Sequence, residues 1–215
     1  MSRARQAPHA RSVFINCPYD TDYLPLLQAM VFTVHACGFV AKLAMLESGS
    51  ERVRLDRLVE LVRGCRFGIH DLSRVQWTGN DVLPRFNMPF ELGMAYGAFR
   101  LGTGRCRQMQ LLVLEAEAFR YHRTLSDIAG LDGKVHGNSV DTLIGCVRDF
   151  LATYADPRPV GPARLRALYE EFRSELPLLA TDHGLTVEEL APLDRFPDWY
   201  AVAIKWLAFK ASGQG

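Results

Sequence analysis

Apolar positions along the first 155 residues fall into two alternating rhythms: short runs rich in β-branched residues, and stretches where apolar residues return every third or fourth position. Ser12-Val13-Phe14-Ile15-Asn16 is the first run, closed by the turn-forming Cys17-Pro18-Tyr19-Asp20, and it predicts a buried strand. Tyr23, Leu26, Leu27, Met30, Val31 and Val34 then recur at helical spacing, and Gly38 follows the stop at Cys37. Residues 39–44 form a second strand run. Ser48 and Glu51 have capping-box spacing ahead of Val53, Leu55, Leu58, Val59 and Val62, a helix that Gly64 ends. Residues 65–70 read as a third strand and 75–88 as a long polar loop. In the helix that follows, Leu92, Ala95, Tyr96 and Phe99 give the buried face, while Gly93 and Gly97 thin the wall. Residues 109–114 are the fourth and most apolar strand run. The pattern breaks over 116–138. Val140, Leu143, Ile144, Val147, Phe150 and Leu151 then mark another amphipathic helix.

Strand and helix alternating four times predict an open parallel sheet of four to five strands with helices on both faces, flavodoxin-like in class. Three prolines between 157 and 162 prevent a continuous helix and read as a linker. Beyond it the pattern is helical only. Leu165, Leu168, Tyr169 and Phe172 share a face, Thr186 and Glu189 cap a short piece, and Trp199, Val202, Ala203, Trp206 and Leu207 mark the last helix. The expected organisation is a disordered tail over 1–11, an α/β domain over 12–155 and a helical extension over 162–212. That extension is too short to bury a core alone. It is expected to pack on the α/β part or on a second subunit, with Trp199 and Trp206 in a core or a dimer seam, so a homo-oligomer is expected.

Composition narrows the classes. The chain has 215 residues, 48% of them apolar and 23% charged, as in a globular protein with a core. A net charge of +1 gives no footing for nucleic-acid or membrane attraction. No apolar run reaches the roughly 20 residues needed to span a bilayer. The five cysteines, at 17, 37, 65, 106 and 146, include no Cys-x-x-Cys pair, which argues against disulfides and zinc and fits a cytoplasmic protein. The six histidines are dispersed, so no metal site is expected. No Gly-x-Gly-x-x-Gly, P-loop or Gly-x-Ser-x-Gly occurs.

Ligands of open parallel sheets bind outside the carboxyl ends of the strands. Asn16 to Asp20, Ala44 to Glu47, Asp71 to Arg74 and Glu115 to Arg120 fall there. Glu91 is the only acidic residue between Asp81 and Glu115, and it is expected in the first turn of an apolar helix that can reach the same rim. The helix dipole favours its ionised form by about 0.3–1 kcal/mol, while burial disfavours it. A carboxylate so placed can trap or stabilise a developing cation, with Asp71 as a second carboxylate at the same rim. The plainer alternative is that Glu91 pairs with Arg85 or Arg100. For Asp71 it is a turn cap with Ser73, and for Asp20 a helix cap. Cys17 lacks a recognisable histidine partner and reads as a packed thiol. Arg120 and Tyr121 can hold a phosphate or stack on a base, or lie plainly on the surface.

These motifs resemble the superfamily joining TIR domains and nucleoside 2-deoxyribosyltransferases. Val13-Phe14-Ile15-Asn16 and its acidic turn look like the opening strand of a TIR domain. Gly68-Ile69-His70-Asp71-Leu72-Ser73 is similar to the strand end where deoxyribosyltransferases carry an Asp. Phe90-Glu91-Leu92-Gly93-Met94-Ala95 is similar to their Glu-Leu-Gly-x-Ala core, whose Glu is the nucleophile. The resemblance covers residues 12–151. It implies N-glycosidic bond cleavage with Glu91 and Asp71 as catalytic residues, Glu91 trapping or stabilising the cationic sugar and Asp71 positioning hydroxyls, with Asn16, Cys17, Tyr19, Asp20, Glu47, Ser73, Arg74, Arg85, Phe86 and Asn87 around the substrate. It also implies NAD or another nucleotide as substrate or ligand, no separate cofactor, and a place in bacterial anti-phage or nucleotide-signal systems. Arg85, Phe86 and Asn87 stand where deoxyribosyltransferases usually carry an Asp, which leaves a non-catalytic nucleotide-sensing or self-assembly module as the alternative.

Overall fold

Every residue of the first strand is buried, the condition under which a strand reads as a continuous apolar run rather than an alternating one. The computed structural model describes residues 9–47, 53–75, 85–123, 125–128, 130, 131 and 133–213. The strands are β1 (Ser12–Asn16), β2 (Val40–Lys42), β3 (Phe67–Asp71), β4 (Gln110–Glu115) and β5 (Lys134–Val135). They form one all-parallel sheet in the order β2-β1-β3-β4-β5. The helices are α1 (Leu24–Ala36), α2 (Arg54–Gly64), α3 (Asn87–Leu101), α4 (Val140–Ala152), α5 (Pro162–Asp182), α6 (Val187–Leu190) and α7 (Phe196–Ala211). An open α/β sheet is therefore observed, and strand order reverses between β1 and β3.

By its contacts the chain divides into two compact units, Met1–Pro18 with Phe39–Gly137, and Tyr19–Gly38 with Asn138–Gly215. In the first, Phe14 of β1 packs among Leu58, Leu61 and Val62 of α2 and Ala95 of α3, so these helices cover the Phe14 face of the sheet. Leu72, Val75, Met88, Leu92, Val113 and Tyr121 form a further apolar cluster. Gly68 is required where it stands. A Cβ there would lie 2.8 Å from His70 Nε2 and 2.9 Å from Leu111 Cδ2, closer than packed carbon allows.

The second unit gathers α1 and α4 to α7. Phe32 of α1 lies 5.0 Å from the Tyr169 ring, 5.4 Å from Phe172 and 6.0 Å from Trp206, centroid to centroid. Trp206 donates to Glu175 Oε2 at 2.8 Å, which satisfies its indole N–H inside an apolar setting. Thr186 and Glu189 form the reciprocal capping box that their spacing announces. Asp20 Oδ1 accepts from Tyr23 N at 2.8 Å, fixing the turn that leads into α1.

Strand edges differ from the periodicity by one or two residues. β2 stops at Lys42 because Ala44–Leu46 turns into a 3-10 helix. β3 and β4 run on to Asp71 and Glu115, two polar residues that the apolar runs leave out. β5 is two residues long and carries no apolar run. Residues 9–11 form a 3-10 turn ahead of β1. The spacing of Ser48 and Glu51 lies outside the described residues.

Candidate functional site

At the strand-order reversal, the carboxyl end of β1 is tied to α3. Asn16 is buried; its Nδ2 donates to Met88 O at 2.9 Å and lies 3.0 Å from His70 Nδ1. Both amide hydrogens are thereby used, which makes Nδ1 the acceptor and puts the His70 ring proton on Nε2. Among the described residues Nε2 has no hydrogen-bond partner, and the ring stands edge-on to Phe14 at 5.7 Å. Full burial pushes the His70 pKa down to about 3, so the imidazole is neutral. Asn16 therefore positions the first turn of α3.

Glu91 lies on the turn that follows Met88. The expectation that it occupies the first turn is corrected: α3 begins at Asn87, so Glu91 is its fifth residue, and that first turn has no acid. Pro89 explains the difference. Proline reads as a stop ahead of the helix, yet within a first turn its missing N–H is no loss, and Phe90 N already donates to Phe86 O at 3.1 Å. The dipole contribution fades beyond the first turn, so burial governs. The Glu91 side chain is 8% exposed and its oxygen is 3.9 Å from Arg54 Nη2, at the start of α2. Burial raises its pKa above the ordinary glutamate range, and the Arg54 guanidinium partly opposes that. Arg54 is 58% exposed, so the pair is screened and weak. Arg100 instead lies over the Tyr96 ring.

Asp71 leaves β3 on the face opposite His70, since side chains alternate along a strand. It is fully buried, with Oδ1 accepting from Ser73 N at 2.8 Å and Oδ2 2.9 Å from His136 Nε2. Ser73 Oγ is 3.0 Å from that same Nε2. A nucleophile–base–acid relay needs Ser and Asp on opposite ring nitrogens, so these three groups do not form one. They lock the turn after β3 onto the end of β5. Glu115 acts similarly after β4, its oxygens accepting from Phe119 N and Arg120 N at 3.0 and 3.1 Å, where Phe119 takes a φ of 61°.

The remaining candidates spread along the rim. Cys17 is buried; Ser73 is half-buried; Glu47, Arg74, Arg85, Phe86 and Asn87 are exposed. Arg85 N donates to Arg74 O at 3.0 Å, which brings the two ends of the β3–α3 loop together. Tyr19 and Asp20 belong to the other unit. Arg120 pairs with Glu117, while Tyr121 is buried and donates to Leu131 O. Among the described residues no group of three His, Cys, Asp or Glu side chains is arranged to hold a metal ion. No described helix is long and apolar enough to cross a membrane.

His70, His136 and Arg54 were not singled out from sequence. For His70 a signal existed: a titratable residue inside an apolar strand beside a glycine that makes room for it. His136 and Arg54 carry none, because their partners are 65 and 37 residues distant. The chain matches no family model, no curated protein and no solved structure.

Proposed function

We propose that this chain binds a nucleotide, with NAD or a related nucleotide as the leading class, outside the carboxyl ends of β1 and β3, and cleaves its N-glycosidic bond with Glu91. The observation that carries the reading is a buried carboxylate with one loose cationic partner among the described residues, on the helix that Asn16 fastens at the strand-order reversal. In the reaction the C1′–N bond breaks and its electron pair leaves with the base. The sugar is left as an oxocarbenium ion, which the Glu91 carboxylate stabilises or captures before water completes hydrolysis. A poorly solvated carboxylate suits that task, because its attraction to a developing cation is little screened. Asp71 serves by holding the β3–α3 loop through Ser73 and His136.

Incubation of the protein and Glu91→Gln with NAD and nucleosides, with chromatographic detection of free base, tests the proposal. Release by the wild type and its loss in Glu91→Gln is expected; equal or absent release in both removes the enzymatic reading. The second reading, a nucleotide-sensing module without turnover, draws on Asp71, whose two oxygens are already engaged. It predicts heat on titration with NAD and no base released.

A further inference from the structure

The face of α3 turned away from the sheet is apolar where a solvated helix would be charged. Phe86, Phe90, Gly93, Gly97 and Leu101 fall within an arc of about 80° at 100° per residue, opposite the buried Leu92 and Ala95. Phe86, Phe90 and Leu101 are 68%, 57% and 87% exposed. Glu91 and Arg100 are the only charged residues of the fifteen in this helix, and a helix apolar all round is ordinarily covered. A Cβ built on Gly93 or Gly97 meets nothing within 4 Å, so another backbone can approach closely. Beside this face α2, α3 and the 3-10 helix Gly104–Gln108 enclose an open groove of about 740 Å³, floored by Val59, Val62, Met94 and Ala98. Arg63 and Arg105 line it and no carboxylate does. Neither arginine has an ion-pair partner among the described residues.

We propose that this face docks an amphipathic helix of a partner protein, its apolar stripe lying over Gly93 and Gly97 and its flanking acids pairing with Arg63 and Arg105. The charges select this occupant. A second copy in a twofold contact would bring the same arginines together, uncompensated, since an isologous interface repeats one patch. The chain's first eleven residues hold three arginines and no acid, so they repel rather than complement the rim. Helix-in-groove recognition supplies the geometry, with apolar anchors at i, i+4 and i+7 and charges at the margin. The proposal is independent of nucleotide binding.

The probe is a fluorescent peptide of about 18 residues, roughly five helical turns, with leucines at those spacings and glutamates beside them. A twin carries lysines in place of the glutamates. The acidic peptide is expected to raise anisotropy with the full chain and to shield Cys106, which lines the groove, from alkylation, while Cys146 is unaffected. Arg63→Glu with Arg105→Glu, both at exposed positions, weakens it about tenfold or more. Gly97→Leu, which fills the groove from a site with open space above it, abolishes it. Equal binding of both peptides, no binding, or binding unchanged in these variants overturns the proposal. So does a dimer of the full chain that Gly97→Leu dissolves, since the face then belongs to a second copy.

Discussion

Glu91 and His70 are both titratable and both buried, and they respond to pH in opposite ways. The Glu91 carboxyl holds its proton more tightly folded than unfolded, so stability falls as pH rises from the ordinary glutamate range through its raised value. If Glu91 is retained for chemistry, Glu91→Gln melts higher than the wild type at neutral pH, and the two converge at acid pH, where the wild-type carboxyl is protonated in both the folded and the unfolded state. A structural role with Arg54 predicts the reverse, a variant that melts lower. Scanning calorimetry at acid and neutral pH decides between them. His70 is neutral when folded down to about pH 3 but takes a proton at about 6.5 when unfolded. Between those values the unfolded chain binds more protons, so acidification destabilises the fold by at most about 1.4 kcal/mol per pH unit. In His70→Gln, whose amide oxygen still accepts from Asn16, urea denaturation over this range should show about one proton less of pH dependence.

At the scale of elements, Asn16 is where strand meets helix. Replacing it with alanine leaves Met88 O and His70 Nδ1 buried without a donor, at about 1–3 kcal/mol for each group. Asn16→Ala is therefore expected to lose about 2–6 kcal/mol and to speed amide exchange in the first turn of α3 more than in α2. Uniform change across both helices would show that the pin is not local. The sequence makes the elements around this pin plain, because Val13, Phe14 and Ile15 form an unbroken apolar run within β1 and α3 repeats at helical spacing. Their ends are less plain. Asp71 and Glu115 close β3 and β4 as buried acids, and β5 has no apolar side chain run to announce it. Pro89 hides the start of α3. The site is legible to the same degree: Asn16, Asp71 and Glu91 stand out by type and position, but their roles depend on His70, His136 and Arg54. Those partners are brought in by parallel crossovers of tens of residues, and no local pattern encodes such a pairing.

Over the whole molecule, the helices after the proline-rich segment are not an accessory by their chemistry. Phe32 sits on α1, the connection from β1 to β2, and its ring partners Tyr169, Phe172 and Trp206 all lie on α5 and α7. Nine of the thirteen α1 residues are buried, so removing those helices bares apolar surface on a crossover that the sheet's connectivity requires. A chain ended at Pro157 is accordingly expected to aggregate or to lose its near-ultraviolet circular dichroism while keeping helical signal, the behaviour of a collapsed state without fixed packing. A milder perturbation tests the same point. Phe172 is fully buried and touches rings on α1 and α7, so Phe172→Ala should cost about 3–5 kcal/mol in denaturant titration. That loss should appear in one cooperative transition shared by tryptophan fluorescence and far-ultraviolet dichroism. A soluble, natively melting chain ended at Pro157 would show instead that α1 finds enough cover without α5 and α7. The C-terminal helices could then be removed without harm to the sheet or to α3, which carries Glu91.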